Sequence, residues 1–136
     1  MIQISNDTNK LDVPVIHNYL SKESYWAKGR KIEVVKKSIE NSFCFGVFLE
    51  GKQIGFARVV TDFSVFAWIM DLFILKEYRG NGYSKELMKA ILTHEALQDV
   101  TRWGLGTHDA HGLYEKFGFT KLSNPQRMME LKMDKG

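Results

Sequence analysis

The chain has 136 residues, 44% of them hydrophobic and 26% charged, with a formal net charge of +3. Those values are ordinary for a soluble globular protein large enough to bury a core, and one domain over 1–136 is expected. No apolar run approaches the roughly 18–20 residues that span a bilayer, and Met1 to Lys10 is too polar for a secretion signal. The single cysteine, Cys44, cannot make an internal disulfide and sits in an apolar run. It reads as a buried thiol in a reducing compartment rather than as a nucleophile, so a cytoplasmic location is expected. The basic residues are scattered, with no stripe and no nucleic-acid module, which argues against nucleic acid as partner. The same mild positive excess suits a small polyanionic cofactor.

In chain order, residues 2–5 (IQIS) read as a short strand. Asp12 precedes Pro14 and an apolar set at Val13, Ile16 and Leu20, so 12–22 is predicted helical, with proline at a tolerated first-turn position. Residues 23–30 (ESYWAKGR) form an aromatic and basic connector. Ile32, Val35 and Ile39 recur at helical spacing and predict a helix over 31–41. Strands follow at 43–49 and 53–61, joined by a hairpin turn at Glu50-Gly51-Lys52. Asp62 to Ser64 makes a second turn before an almost unbroken apolar strand at 66–75, the pattern of a strand buried on both faces. A helix is predicted over about 83–96 and a strand over 100–106. A short helix at 109–117 follows, with Asp109 as its expected N-cap and Gly118 ending it. Phe119–Leu122 and Met128–Met133 are expected to close the sheet as two further strands.

The chain changes character between the 66–75 strand and the next helix. Gly80 and Gly82 lie in the turn, and Leu87, Met88, Ile91 and Leu92 then take helical spacing. A strand–glycine turn–helix junction points backbone N–H groups and a positive dipole end at one spot, which suits a phosphate. Glycine lets the backbone approach closely and adopt φ > 0. The stretch lacks the P-loop pattern, and Lys85 stands where a dinucleotide fingerprint needs its third small residue. A bare structural turn is the alternative.

Two motifs carry a resemblance. Arg79-Gly80-Asn81-Gly82-Tyr83-Ser84 resembles the R/Q-x-x-G-x-G/A signature of the GNAT superfamily, the acyl-CoA-dependent N-acetyltransferases. Residues 107–119 (THDAHGLYEKFGF) are similar to the family's N-x-x-A-x-x-x-Y-x-x-x-G-F segment. Ala110, Tyr114, Gly118 and Phe119 match in register, and Thr107 replaces the usual Asn. The element order β-α-α-β-β-β-α-β-α-β-β extends the likeness over nearly the whole chain. Closer in, the pattern is similar to compact bacterial members with a DAHGLYEKFGF ending, a likeness that brings no substrate. The resemblance implies an α/β (α+β) fold of the GNAT type, with a mixed central sheet splayed at the cofactor site and flanked by helices.

It also implies acetyl-CoA as co-substrate, without a metal. In the family the glycine turn wraps the pyrophosphate, which assigns that contact to Arg79, Gly80, Asn81, Gly82, Tyr83, Ser84 and Lys85. Ser84 either donates to phosphate or is merely a tolerated small residue. Arg79 either pairs with phosphate or bonds locally. The pantetheine arm pairs with the central strand at Phe73 and Ile74, where an N–H would also stabilise a developing oxyanion. Thr107 and Ala110 belong to the second cofactor segment. Tyr114 is the catalytic candidate: a phenol of ordinary pKa about 10 can protonate a departing thiolate. Its alternatives are a core aromatic or a contact to the cofactor sulfur.

The base is less defined. Some family members use a carboxylate on the central strand. By strand alternation the relevant face here offers Trp68 and Met70, with Asp71 expected on the other face. His108 and His111 near the second motif are weaker candidates, with solvent-facing or capping roles as alternatives. Acceptor specificity is assigned to Tyr25, Trp26, Arg30 and Asp62, although Tyr25 and Trp26 also read as core or dimer-contact aromatics. The expectation is direct acetyl transfer to a primary amine, most simply of a small molecule. A peptide or protein amine acetyltransferase and a non-catalytic CoA-binding regulator are the alternatives, and a homodimer is compatible with the family.

Overall fold

The structure is a computed structural model, and it describes residues 1–134. The chain divides into two compact units, Met1–Gly106 and Thr107–Gly136.

The first unit is a five-stranded sheet with helices. Its strands are β1 (Ile2–Ser5), β2 (Phe43–Leu49), β3 (Lys52–Thr61), β4 (Phe66–Ile74) and β5 (Arg102–Leu105), and they lie in the sheet in sequence order. β1 to β4 pair antiparallel as a meander, and β4 pairs β5 parallel. A parallel pair needs a crossover, which the helix α3 (Tyr83–Thr93) supplies. The two-residue turn Glu50-Gly51 has φ of 51° and 80°, the left-handed pair that matches the twist of a tight hairpin.

Helix α1 (Val13–Asn18) starts where predicted, with the Asp12 side chain accepting from the Val15 N–H. It runs on as a π-helical turn at Tyr19–Glu23 rather than as α-helix to residue 22. Helix α2 spans Ile32–Glu40. α1, its π turn and α2 pack on one face of the sheet, where Ile16, Tyr19, Leu20, Val35 and Ile39 form a core with Cys44, Phe56 and Phe73. Leu87, Met88 and Ile91 of α3 are fully buried, and α3 packs against β1, β2 and β4. Burial of these apolar faces, at about 25 cal/mol per Å², is the main stabilising term. α3 ends at Thr93, three residues short of the predicted end, because His94 leaves helical geometry and caps a separate 3-10 turn at Glu95–Leu97.

The second unit holds helix α4 (His111–Glu115). Asp109 is not its N-cap: Ala110 is, and the Thr107 hydroxyl accepts the Ala110 N–H at 3.1 Å. The helix is shorter than the predicted 109–117, but Gly118 closes its C-terminal end as read from the sequence. The Phe119 N–H bonds the Tyr114 carbonyl and the Gly118 N–H bonds the Glu115 carbonyl, with Gly118 at φ +92°. The two closing strands do not form among the described residues. Residues 119–124 are irregular, Pro125–Arg127 is a 3-10 turn, and 128–134 carry no regular structure. Met129 and Leu131 are 94% and 84% exposed, so the apolar pattern that suggested a strand finds no core.

Candidate functional site

β4 organises the first unit's candidate site. Its pairing with β5 ends at Ile69 and Leu105, while β4 runs on to Ile74. Beyond Ile69 that edge has no β5 partner, so its backbone groups are left to another acceptor or donor. On the β3 side, Phe56 pairs with Phe73 and Arg58 with Met70, so Asp71 and Leu72 together face Ala57. This is a β-bulge. Phe73 and Ile74 lie just past it with buried side chains, and Phe73 stacks on Tyr19 at 4.0 Å between ring centroids. Whatever they offer a ligand comes from their backbone.

The bulge corrects one expectation. Asp71 sits at φ +55°, uncommon for a residue with a Cβ and better tolerated by Asp than by most. The local twist breaks the two-residue alternation and turns its carboxylate to the side of Arg58, the cross-strand partner of Met70. Asp71 Oδ2 accepts from Arg58 Nε at 2.9 Å and from Arg30 Nη1 at 2.9 Å, and Oδ1 accepts from Trp26 Nε1 at 2.8 Å. Its side chain is 1% exposed. With three donors on two oxygens and no solvent access, this carboxylate is a clamp and not a free base. It ties the connector between α1 and α2 to the central strand.

The connector is itself fixed. Ser24 Oγ donates to the Leu20 carbonyl and accepts the Ala27 N–H, and the Arg30 carbonyl lies 3.0 Å from His17 Nε2. Tyr25 and Trp26 meet edge to face at 5.0 Å and are 51% and 38% exposed, so neither is a core residue. Asp62, by contrast, is spent on its own turn. Its Oδ1 accepts the N–H groups of Ser64, Val65 and Phe66, and those bonds hold its carboxyl down at about 2.

β4 leads through a 3-10 turn at Lys76–Tyr78 into the glycine turn. Gly80 and Gly82 have φ of +85° and +77°. Gly82 is the N-cap of α3, and no side chain caps that helix. The N–H groups of its first turn, at Tyr83, Ser84 and Lys85, therefore lack an intrahelical or capping partner. Nothing lies within 4 Å of where a Cβ would stand on Gly80 or Gly82, so these glycines serve the backbone conformation and leave open space. Asn81 Nδ2 bonds back to the Tyr78 carbonyl. The Arg79 side chain is turned inward: Nε donates to the Ile74 carbonyl at 3.0 Å and Nη2 to the Tyr19 hydroxyl at 2.7 Å. The Arg79 side chain thus joins the end of β4 to the turn after α1.

In the second unit, Thr107 and Ala110 bond one another, as above. Tyr114 is the buried residue of α4 and meets the Phe119 ring at 6.0 Å, nearly edge to face. His111 is exposed in the first turn of α4. Cys44 is buried in β2, and burial pushes its thiol up to about 12, which makes it a poor nucleophile.

Arg58 was missed by sequence reasoning. Its signal was a lone cation in the apolar run QIGFARVVT, where a buried charge requires a partner.

A mixed sheet whose central strand outruns its parallel neighbour, bulges, and feeds a glycine-lined, uncapped helix N-terminus is the architecture of an acyl-CoA N-acyltransferase fold. Comparison with known proteins gives the same class. Residues 40–121 match the acetyltransferase (GNAT) domain family. A crystal structure of a Xanthomonas campestris protein assigned to the GNAT family is 44% identical, with a TM-score of 0.95, and the match covers 98% of this chain and 94% of that one. A Gibberella zeae protein named as an acetyltransferase is 26% identical over 70% of this chain and 63% of its own length. The chain spans less than two thirds of the length of the curated relatives it matches. A Clostridium acetobutylicum acetyltransferase solved with acetyl-CoA is 13% identical, at a TM-score of 0.66, over 97% of this chain and 96% of its own, a likeness of fold alone. The chain belongs to the GNAT acetyltransferase family. Among the described residues no helix is long and apolar enough to cross a membrane.

Proposed function

We propose that the protein transfers the acetyl group of acetyl-CoA to a primary amine of a small molecule. The observation that carries this reading is the conjunction of an uncapped, glycine-led helix N-terminus with a stretch of central strand that has lost its β5 partner. Two phosphates need several converging N–H donors, and the first turn of α3 offers those of Tyr83, Ser84 and Lys85 beside two glycines at positive φ. An amide-bearing arm needs an extended partner, and β4 past Ile69 has one free edge. The residues thus fit coenzyme A, and the solved acetyl-CoA complex of a protein with the same fold agrees. When bound, acetyl-CoA supplies the acyl group and departs as a thiol.

The chain's own residues would divide the work as follows. Backbone at Phe73 and Ile74 orients the arm and offers an N–H to the thioester oxygen. The turn from Gly80 to Lys85 holds the phosphates, with Arg79 bracing it from behind. Tyr114, matched by motif alone, donates a proton to the departing thiolate. Thr107 and Ala110 form the second cofactor segment. The family match runs from residue 40 to 121 and crosses the junction at 106–107, which supports one acetyltransferase domain over the chain. No carboxylate on β4 is free to act as base, so the amine reaches the site already neutral or loses its proton to water.

Thiol release from acetyl-CoA against an amine panel, for wild type and Tyr114→Phe, tests this. Amine-dependent turnover that falls about a hundredfold or more in the variant, with CoA binding kept, is expected of a lost general acid. Turnover untouched by the substitution removes Tyr114 as the acid. CoA binding without turnover on any amine favours the non-catalytic CoA-binding alternative.

A further inference from the structure

The clamp at the bulge is not electrically balanced. Arg30 and Arg58 bring two positive charges to one carboxylate, Asp71. Cys44, across β2–β3 from Arg58, adds no charge while its thiol is protonated. The cluster therefore keeps a net charge of one positive unit. The two guanidiniums are not equivalent. Arg58 is 10% exposed, and its remaining groups are engaged: Nη1 donates to the Ser42 hydroxyl at 3.1 Å and Nη2 to the Met70 sulfur at 3.4 Å. Arg30 is 21% exposed and uses only Nη1, on Asp71. Of the five donors in the plane of its fork, the other four are left to solvent or a ligand.

Position adds to charge. Asp71 lies on the stretch of β4 that has lost its β5 partner, where the proposed function puts the reacting carbonyl. Arg30 is fixed there through Asp71 and His17, and the exposed Tyr25 and Trp26 rings stand beside it on the same connector. A partly exposed guanidinium, held rigid and short of one negative charge, is suited to a planar anion, and a carboxylate matches its fork. Resting on the acetyltransferase reading, we propose that Arg30 is an acceptor subsite, and that the amine acetylated by this protein also carries a carboxylate.

The test reads Arg30 directly. N-acetylglycine and its uncharged counterpart N-acetylglycinamide serve as product-like probes, titrated into the CoA-saturated protein. The readout is the arginine side-chain N–H NMR signals, with Arg30 assigned by its loss in Arg30→Lys. The exposed Arg102 and Arg127 are internal controls. The expected result is a saturable millimolar-range shift confined to Arg30 with the carboxylate, weakened by salt and absent with the amide. In Arg30→Gln the affinity for N-acetylglycine falls about tenfold, the scale of one lost charge-assisted contact. A shift that is equal for the two probes, equal at Arg102 and Arg127, or absent at Arg30 overturns the subsite. Failure of the parent reading is seen separately: CoA alone would then leave the backbone N–H signals of Tyr83, Ser84 and Lys85 unmoved.

Discussion

Replacing Asp71 with alanine should be among the most damaging single changes in the first unit. The substitution removes the sole carboxylate from two guanidiniums and an indole N–H. Arg30, 21% exposed, regains water and contributes little to the loss. Arg58, 10% exposed, is left as a buried charge without its counter-ion. Breaking a buried pair from one side costs about 3–5 kcal/mol. A further contribution of about 1 kcal/mol comes from the backbone, because alanine tolerates φ +55° less well than aspartate. Against a total stability of about 5–15 kcal/mol this is a large share. With a urea m-value of about 1–3 kcal/mol/M, the midpoint should fall by roughly 2 M. Asp71→Gly relieves the backbone and should recover only that smaller part. The double variant Asp71→Ala/Arg58→Met, which removes both charges, should be more stable than Asp71→Ala alone, because the uncompensated charge is gone. A loss below about 1 kcal/mol, or strict additivity in that cycle, would refute the view that an ion pair holds the bulge.

Two further predictions concern titration. Asp62 is held at about 2 in the folded state against an ordinary 3.8, so its contribution is present above about pH 4 and is lost as pH falls through 2. The stability difference between wild type and Asp62→Ala should therefore shrink over that window and be flat above it; a difference that is constant from neutral pH to pH 2 removes the charge from the argument. Cys44 runs the other way. Its thiol is raised from 9.0 to about 12, so the associated stability is complete below pH 9 and is lost as pH rises towards 12. At pH 8 the native protein should resist alkylation under conditions in which the urea-unfolded chain reacts within minutes, and rapid labelling of the folded chain would contradict its burial.

The sequence by itself settled what depends on local periodicity. Apolar spacing placed α1, α2 and α3, and Asp12 and Gly118 marked helix ends because their roles involve only neighbouring backbone groups. β2 was legible to the residue, and glycine marked the hairpin turn, although Lys52, read as part of that turn, already belongs to β3. The glycine turn was legible too, since Gly80 and Gly82, which take positive φ, are residues that permit it at no steric cost.

Tertiary structure decided the rest. Alternation put Asp71 on the wrong face because a bulge adds a residue, and the need for one arises only where β3 and β4 meet. Arg79 could have faced phosphate or protein. The choice depended on the Tyr19 hydroxyl, sixty positions away in the chain, and on the Ile74 carbonyl. The 128–133 segment had the pattern of a strand, yet a strand exists only where another accepts its hydrogen bonds, and none does so among the described residues. A charge has a local identity but a distant partner. For that reason Arg30, Arg58 and Asp71 were three separate letters in the sequence and became one cluster, with one positive charge to spare, only in the fold.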